Sequence, residues 1–216
     1  MIIVFANQKG GVGKSTHCAL FAQYLSEKDK EVHVIDMDYQ KTLQRMREID
    51  VSIMNKRNEE ENIFDNSLNY SVNYVSEEKV LSFLEIAERE KEKVFLFDMP
   101  GNLGRDNIIR TLAKANFIIT PFQYENATLN STAQLMQVKK KFDLQAQSIF
   151  LPTNIDVRVK NPNIDKANQL LMTVGVLAPV VYQRNEFKNF STIGMTKLLK
   201  ELVQPTYDFI YNVIFG

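Results

Sequence analysis

The chain has 216 residues, 44% of them hydrophobic, with 26 basic and 26 acidic side chains and a formal net charge of zero. That is enough apolar material for one core, and no Pro-, Gly- or Ser-rich linker divides it, so a single domain over residues 1–216 is expected. A lone cysteine, Cys18, excludes an internal disulfide; Met1 leads straight into a strand with no signal sequence, and no apolar run approaches the ~20 residues that span a bilayer, so a cytoplasmic protein is expected.

Residues 2–6 read as a buried strand and residues 15–28 as a helix whose apolar face carries Cys18, Phe21, Ala22 and Leu25. Between them runs Asn7-Gln8-Lys9-Gly10-Gly11-Val12-Gly13-Lys14-Ser15-Thr16. Three glycines in four residues let the backbone turn its N–H groups inward, and the positive end of the helix points at the same spot, so an anion belongs there. The ending divides the work on a nucleotide: Lys14 for the β- and γ-phosphates, the Ser15 hydroxyl for Mg2+, and Thr16 for the α-phosphate.

The strict pattern asks for glycine five residues before Gly13, where this chain has Gln8; a second lysine, Lys9, stands at the loop entrance instead. The string from Lys9 to Thr16 resembles the deviant Walker A box of the ParA/MinD family of ATPases. The resemblance implies ATP as the nucleotide, with Lys9 reaching across a homodimer interface to the phosphates held by the other subunit.

Residues 31–38 form a second apolar strand ending in Asp36 and Asp38, two carboxylates spaced to share one face beside the phosphate loop, where γ-phosphate, magnesium and attacking water would sit. Asp38 resembles the family's catalytic aspartate, and Asp36 supports either the loop or the metal's water shell. Tyr39-Gln40 continues the family's Asp-Pro-Gln pattern with Tyr in place of Pro. His17 and His33 are assigned no chemistry. Residues 40–76 read as a solvated excursion, and residues 77–93 as an amphipathic helix with Ser76 as N-cap.

The run Val94-Phe95-Leu96-Phe97-Asp98 has the form of a central parallel strand. Asp98 resembles a Walker B aspartate holding a magnesium-bound water, and the following Met99-Pro100-Gly101-Asn102 resembles the family's switch, in which Pro100 and Gly101 approach the γ-phosphate. A helix over 104–115, a strand over 117–121 closed by Pro121, a helix over 127–142 ending in Lys139-Lys140-Lys141 and a strand over 148–152 follow. By resemblance Asn154 is a base contact. A helix over 161–173 with Gly175 as its stop and a strand over 179–182 precede Arg184 and Lys188, which resemble residues near the nucleotide and the nonspecific DNA surface of small ParA proteins. Helices over 192–202 and 206–215 close the chain, with no lysine or arginine after Lys200, unlike the basic membrane-binding tail of MinD-like proteins.

The alternation of strand and helix, with acids at strand ends, specifies an α/β fold with a mostly parallel central sheet and helices on both faces, the P-loop NTPase fold. Charge is uneven: residues 1–125 hold 16 Lys/Arg against 20 Asp/Glu, a net −4, and residues 126–216 hold 10 against 6, a net +4. By resemblance the expected protein is an ATPase that dimerises on ATP, grips double-stranded DNA nonspecifically in a nucleoid-associated state, and partitions a plasmid, chromosome or mobile element with a DNA-bound stimulating partner. The helix-turn-helix of larger partition ATPases is not expected, since the chain opens on the first strand. The alternative is a MinD-like positioning ATPase that recruits protein cargo without DNA. A nitrogenase iron protein is disfavoured because Cys18 cannot hold a cluster alone, and in a small-molecule kinase Lys9 has no purpose.

Overall fold

The computed structural model describes residues 1–61, 68–156 and 164–216. Seven strands, β1 (Ile2–Phe5), β2 (Val32–Asp36), β3 (Ser71–Tyr74), β4 (Val94–Asp98), β5 (Phe117–Phe122), β6 (Gln147–Pro152) and β7 (Val176–Leu177), make one sheet in the order β3-β2-β4-β1-β5-β6-β7. Every pairing is parallel. Parallel neighbours need crossover connections, and these are α1 (Lys14–Ser26), α2 (Thr42–Glu61), α3 (Val80–Arg89), α4 (Asp106–Lys114), α5 (Asn126–Lys141) and α6 (Ile164–Met172), with α7 (Lys197–Phe215) closing the chain.

Side-chain alternation along the strands divides the core in two. Ile3, Phe5, Val34 and Leu96 pack against Phe21 and Leu25 of α1 and Tyr207 and Ile210 of α7. On the other face Ile2, Val4, Ile35 and Phe97 pack against Leu84 of α3, Leu112 of α4 and Leu135 of α5. α1 is therefore covered by sheet on one side and by α7 on the other, and nine consecutive residues, His17 to Leu25, are buried. Its apolar face is wider than the stripe that Cys18, Phe21, Ala22 and Leu25 describe.

Four expectations are corrected. Residues 40–76 are not a solvated excursion: they contain the twenty-residue α2 and the parallel edge strand β3. α2 escapes a periodicity search because only Leu43 and Arg47 of its described side chains are buried; good helix formers such as Leu, Gln, Arg, Met and Glu carry the remainder. The closing helix is one element that runs through Pro205. Leu199, Val203, Tyr207, Ile210 and Ile214 bury one continuous face across the proline, and that packing offsets the ~3 kcal/mol an interior proline costs. The strand expected over 179–182 lies earlier, at β7, because Gly175 lets the chain pass close to β6: a Cβ there would stand 2.5 Å from the Ser148 carbonyl oxygen. Tyr182 keeps only a parallel bridge to Ile155. Finally α3 begins at Val80 with Lys79 as N-cap, while Ser76 offers its carbonyl to the Lys79 amide in a turn before it. The helix expected over 161–173 is observed from Ile164, and residues 161–163 lie outside the described residues.

Candidate nucleotide site

The sheet register sets the site. Phe5 pairs with Asp98 and Asp98 with Asp36, so the carboxyl ends of β1, β4 and β2 finish in one row. Ligands of open α/β sheets collect at such ends. Asp36 and Asp98 share the face of the sheet that α1 covers, and α1 begins directly above them.

The loop between β1 and α1 is held from both sides. Asn7, fully buried, donates through Nδ2 to the Pro121 carbonyl at 2.9 Å and to Thr132 Oγ1 at 3.2 Å. Its Oδ1 accepts the Lys9 amide at 3.0 Å and the Ser131 hydroxyl. On the opposite side the Thr153 hydroxyl, at the end of β6, donates to the Val12 carbonyl at 2.9 Å. Gly11 and Gly13 take left-handed φ of +75° and +89°, where a side chain would be strained. At Gly101 a Cβ would lie 3.2 Å from the Gln8 carbonyl oxygen, so β4's exit packs close against the loop.

Lys14 extends its Nζ to the Lys9 carbonyl at 3.2 Å. Burial lowers its pKa, and the Asp98 and Asp38 carboxylates nearby oppose the fall. Lys9 is exposed, and its side chain has no hydrogen-bond or ion-pair partner among the described residues.

The three acids divide by environment. Asp36, fully buried, accepts the Asp38 amide at 3.0 Å on one oxygen and the Leu43 and Gln44 amides, at 2.9 and 3.2 Å, on the other. Burial raises its pKa, the three amides oppose that, and the Asp38 charge adds to it. Both its oxygens are thus engaged in building the turn and starting α2. Asp38 is half-buried, with Oδ1 accepting the Gln40 amide at 2.9 Å, and Tyr39 beside it is 87% exposed. Asp98 is 1% exposed, and neither of its oxygens has a hydrogen-bond partner among the described residues. Burial pushes its carboxyl up to about 7; the Ser15 hydroxyl opposes the rise, the Asp36 charge adds to it, Lys14 opposes and Asp38 adds.

A buried carboxyl whose oxygens have no hydrogen-bond partner among the described residues is under-satisfied, and a divalent cation with its water shell would complement it alongside Lys14. Asp98 and Ser15 fit such an ion. No group of three or more His, Cys, Asp or Glu side chains suited to a metal occurs among the described residues. Magnesium keeps several waters and leans on phosphate oxygens, so it needs few protein ligands.

From the loop a cavity of about 250 Å3 runs outward between Thr16, His17, Thr153, Asn154, Phe187 and Arg184, with Lys188 at its margin. The expected base contact Asn154 stands in its wall at φ +54°. Arg184 and Lys188 are exposed and line this same cleft. The structure thus gathers Gly10 to Thr16, Asp36, Asp38, Asp98, Pro100 and Gly101 at one end of the sheet, with Asn154, Arg184 and Lys188 along the adjoining cleft. Asn7, Thr153 and Ser131 escaped sequence reasoning: their partners are more than a hundred positions away, and only the polar residue at the exit of an apolar strand hinted at Asn7.

The fold and the loop define a P-loop nucleotide-binding protein. The model of the CobQ/CobB/MinD/ParA nucleotide-binding domain matches residues 3–205, and the chain belongs to that family. Among solved structures it is similar to a plasmid partition protein of Borrelia burgdorferi bound to AMPPNP, at 20% identity and TM-score 0.72 over 98% of both chains. It is likewise similar to the cell division protein MinD of Aquifex aeolicus, at 16% and 0.73 over 100% of this chain and 98% of that one. A McdA variant of Cyanothece in complex with ATP aligns at 14% and 0.71 over 99% and 95%. No curated protein sequence matches the chain. No helix among the described residues is long and apolar enough to cross a membrane.

Proposed function

We propose that the chain, acting as one domain, is a magnesium-dependent ATPase switch that dimerises on ATP and grips DNA nonspecifically to partition a plasmid, chromosome or mobile element. The observation that carries the ATPase reading is Asp98, buried at the end of β4 with no hydrogen-bond partner for its oxygens among the described residues, and close enough to Ser15, Lys14 and Asp38 for them to shift its pKa. Lys14 would leave the Lys9 carbonyl for the β- and γ-phosphates, while the amides of Gly10 to Gly13 cradle them and Thr16 meets the α-phosphate. Ser15 and Asp98 would hold magnesium and its water, and the ion would offset charge on the β- and γ-oxygens. Asp38 orients the attacking water, and Asp36 keeps Asp38 and α2 in place. Pro100 and Gly101 sense the γ-phosphate beside Gln8. Asn154 contacts the base. Lys9, exposed and without a side-chain partner among the described residues, reaches the phosphates of a second copy. The relatives that carry AMPPNP and ATP support the nucleotide, and the plasmid partition relative supports the setting. Arg184 and Lys188 are the proposed contacts to the DNA backbone, with a DNA-bound partner stimulating turnover.

Three measurements test this. Lys14→Ala is expected to lower ATP turnover by on the order of 100-fold or more, since it removes a preorganised charge; unchanged turnover would sink the phosphate-loop reading. Lys9→Ala is expected to bind ATP yet stay monomeric in analytical ultracentrifugation. Titration of nonspecific duplex with no nucleotide, ADP or ATP plus Mg2+ at two salt concentrations reads the DNA step: binding only with ATP, weakened by salt, is expected. A second reading, recruitment of a protein cargo without DNA, has one observation in its favour. Ile49 and Ile53, one turn apart on α2, are 60% and 61% exposed. ATP-dependent dimers that ignore DNA at both salts would select it.

A further inference from the structure

His17 stands where a nucleotide-binding loop has no general need of a titratable side chain. It is 3% exposed, lines the cleft next to Thr16, and its ring lies beneath Gly13: a Cβ on that glycine would meet Cδ2 at 3.1 Å and Nε2 at 3.6 Å. Nδ1 is engaged by the Tyr207 hydroxyl at 2.8 Å, and Phe187 flanks the ring at 5.8 Å between centroids. Nε2 has no hydrogen-bond partner among the described residues.

The tautomer follows from hydrogen-bond accounting. Tyr207 is fully buried, and its hydroxyl has His17 as its one described partner. Were Nδ1 the donor, the phenol proton would be left in the core without an acceptor, a loss of about 1–3 kcal/mol. Tyr207 therefore donates, Nδ1 accepts, and the ring proton sits on Nε2. The cleft wall thus carries one fixed N–H donor, a residue beyond the group assigned to the α-phosphate. Next to the α-phosphate in a nucleotide comes the sugar.

We propose that His17 is a nucleotide-binding residue whose Nε2–H, oriented by Tyr207, donates to a ribose hydroxyl. This rests on the nucleotide reading given above. The test is calorimetric titration, with Mg2+, of ATP, 2′-deoxy-ATP, 3′-deoxy-ATP and inorganic triphosphate into wild type, His17→Ala, His17→Gln and Tyr207→Phe. In wild type, one of the two deoxy nucleotides is expected to bind about 5- to 30-fold more weakly than ATP, the range for a lost buried hydrogen bond. His17→Ala is expected to weaken ATP by a like factor, abolish the difference between ATP and that analogue, and leave triphosphate unchanged. His17→Gln, which keeps a donor, restores part of the difference. Tyr207→Phe, which keeps the ring packing, reduces it.

Equal weakening of ATP and triphosphate by His17→Ala would overturn the proposal, because the residue would then merely support the loop. Retention of the full ATP-to-deoxy ratio in both His17→Ala and Tyr207→Phe would overturn it as well. Wild type that binds neither ATP nor triphosphate would overturn the nucleotide reading itself, and this inference with it.

Discussion

α1 and α2 both spring from the carboxyl end of a strand at the site, yet they are held by opposite means. α1 has nine consecutive buried residues between sheet and α7, with Phe21 and Tyr24 stacked on each other and edge-on to Tyr207. α2 buries Leu43 and Arg47 and otherwise leans on polar latches. Asp36 accepts its first amides; Arg47 donates to the Tyr70 and Thr192 carbonyls; Asp50 accepts the Thr192 amide at 2.6 Å and hydroxyl at 2.7 Å. Apolar burial is non-directional and spread over many contacts, whereas a latch is lost with one partner. The phosphate loop thus rides on a rigid helix, and the carboxylates sit beside one whose hold is polar and localised at its start.

Four substitutions break or sharpen that contrast. Phe21→Ala should cost about 3–5 kcal/mol in denaturant unfolding, through a cavity between α1 and α7. A loss below 1 kcal/mol would mean α1 is not held by packing.

Asp98 comes next. Its carboxyl is held near 7 in the fold against an ordinary 3.8. A raised carboxyl pKa favours the protonated native state, so the nucleotide-free protein has its full stability below about pH 4 as far as this group is concerned. It loses stability as pH rises towards 7, by roughly 4 kcal/mol at full ionisation. Asp98→Asn should flatten the fall, read as the difference between wild-type and variant unfolding curves from pH 5 to 8. A constant difference across that range would contradict the buried, unpartnered state.

Arg47→Ala takes from the Tyr70 carbonyl its described donor and leaves the Thr192 carbonyl with the Tyr70 hydroxyl alone, and should cost about 1–3 kcal/mol. Hydrogen exchange should rise in α2 and near Thr192 while α1 stays protected; uniform exchange in both helices would erase the distinction. Smallest of all, Ile53→Ser on the exposed side of α2 should change stability by less than about 0.5 kcal/mol. A larger loss in ultracentrifuged monomer would show that this face is covered within the chain.

The legible parts of the molecule are those whose chemistry is local in the chain. A glycine-rich turn, the lysine after it and the helix that follows lie within ten residues, and the acids ending β2 and β4 close runs apolar enough to mark buried parallel strands. Strand-helix alternation likewise gave the sheet its parallel sense. α2 was hidden because no packing periodicity runs along it, and Pro205 divided α7 on paper because local propensity carries no knowledge of the face that Tyr207 and its neighbours bury.

By itself, then, the sequence determined the fold class, the phosphate loop and the three acids, since each follows from neighbours on one segment. Tertiary structure alone decided the rest. The sheet order seats Asp98 between Phe5 and Asp36. The Asn7 bonds to Pro121 and Thr132, the Thr153 bond to Val12 and the His17 bond to Tyr207 join positions 114 to 190 residues apart. No spacing rule reaches across such separations, because what brings those side chains together is the register of seven strands and the burial of two apolar faces.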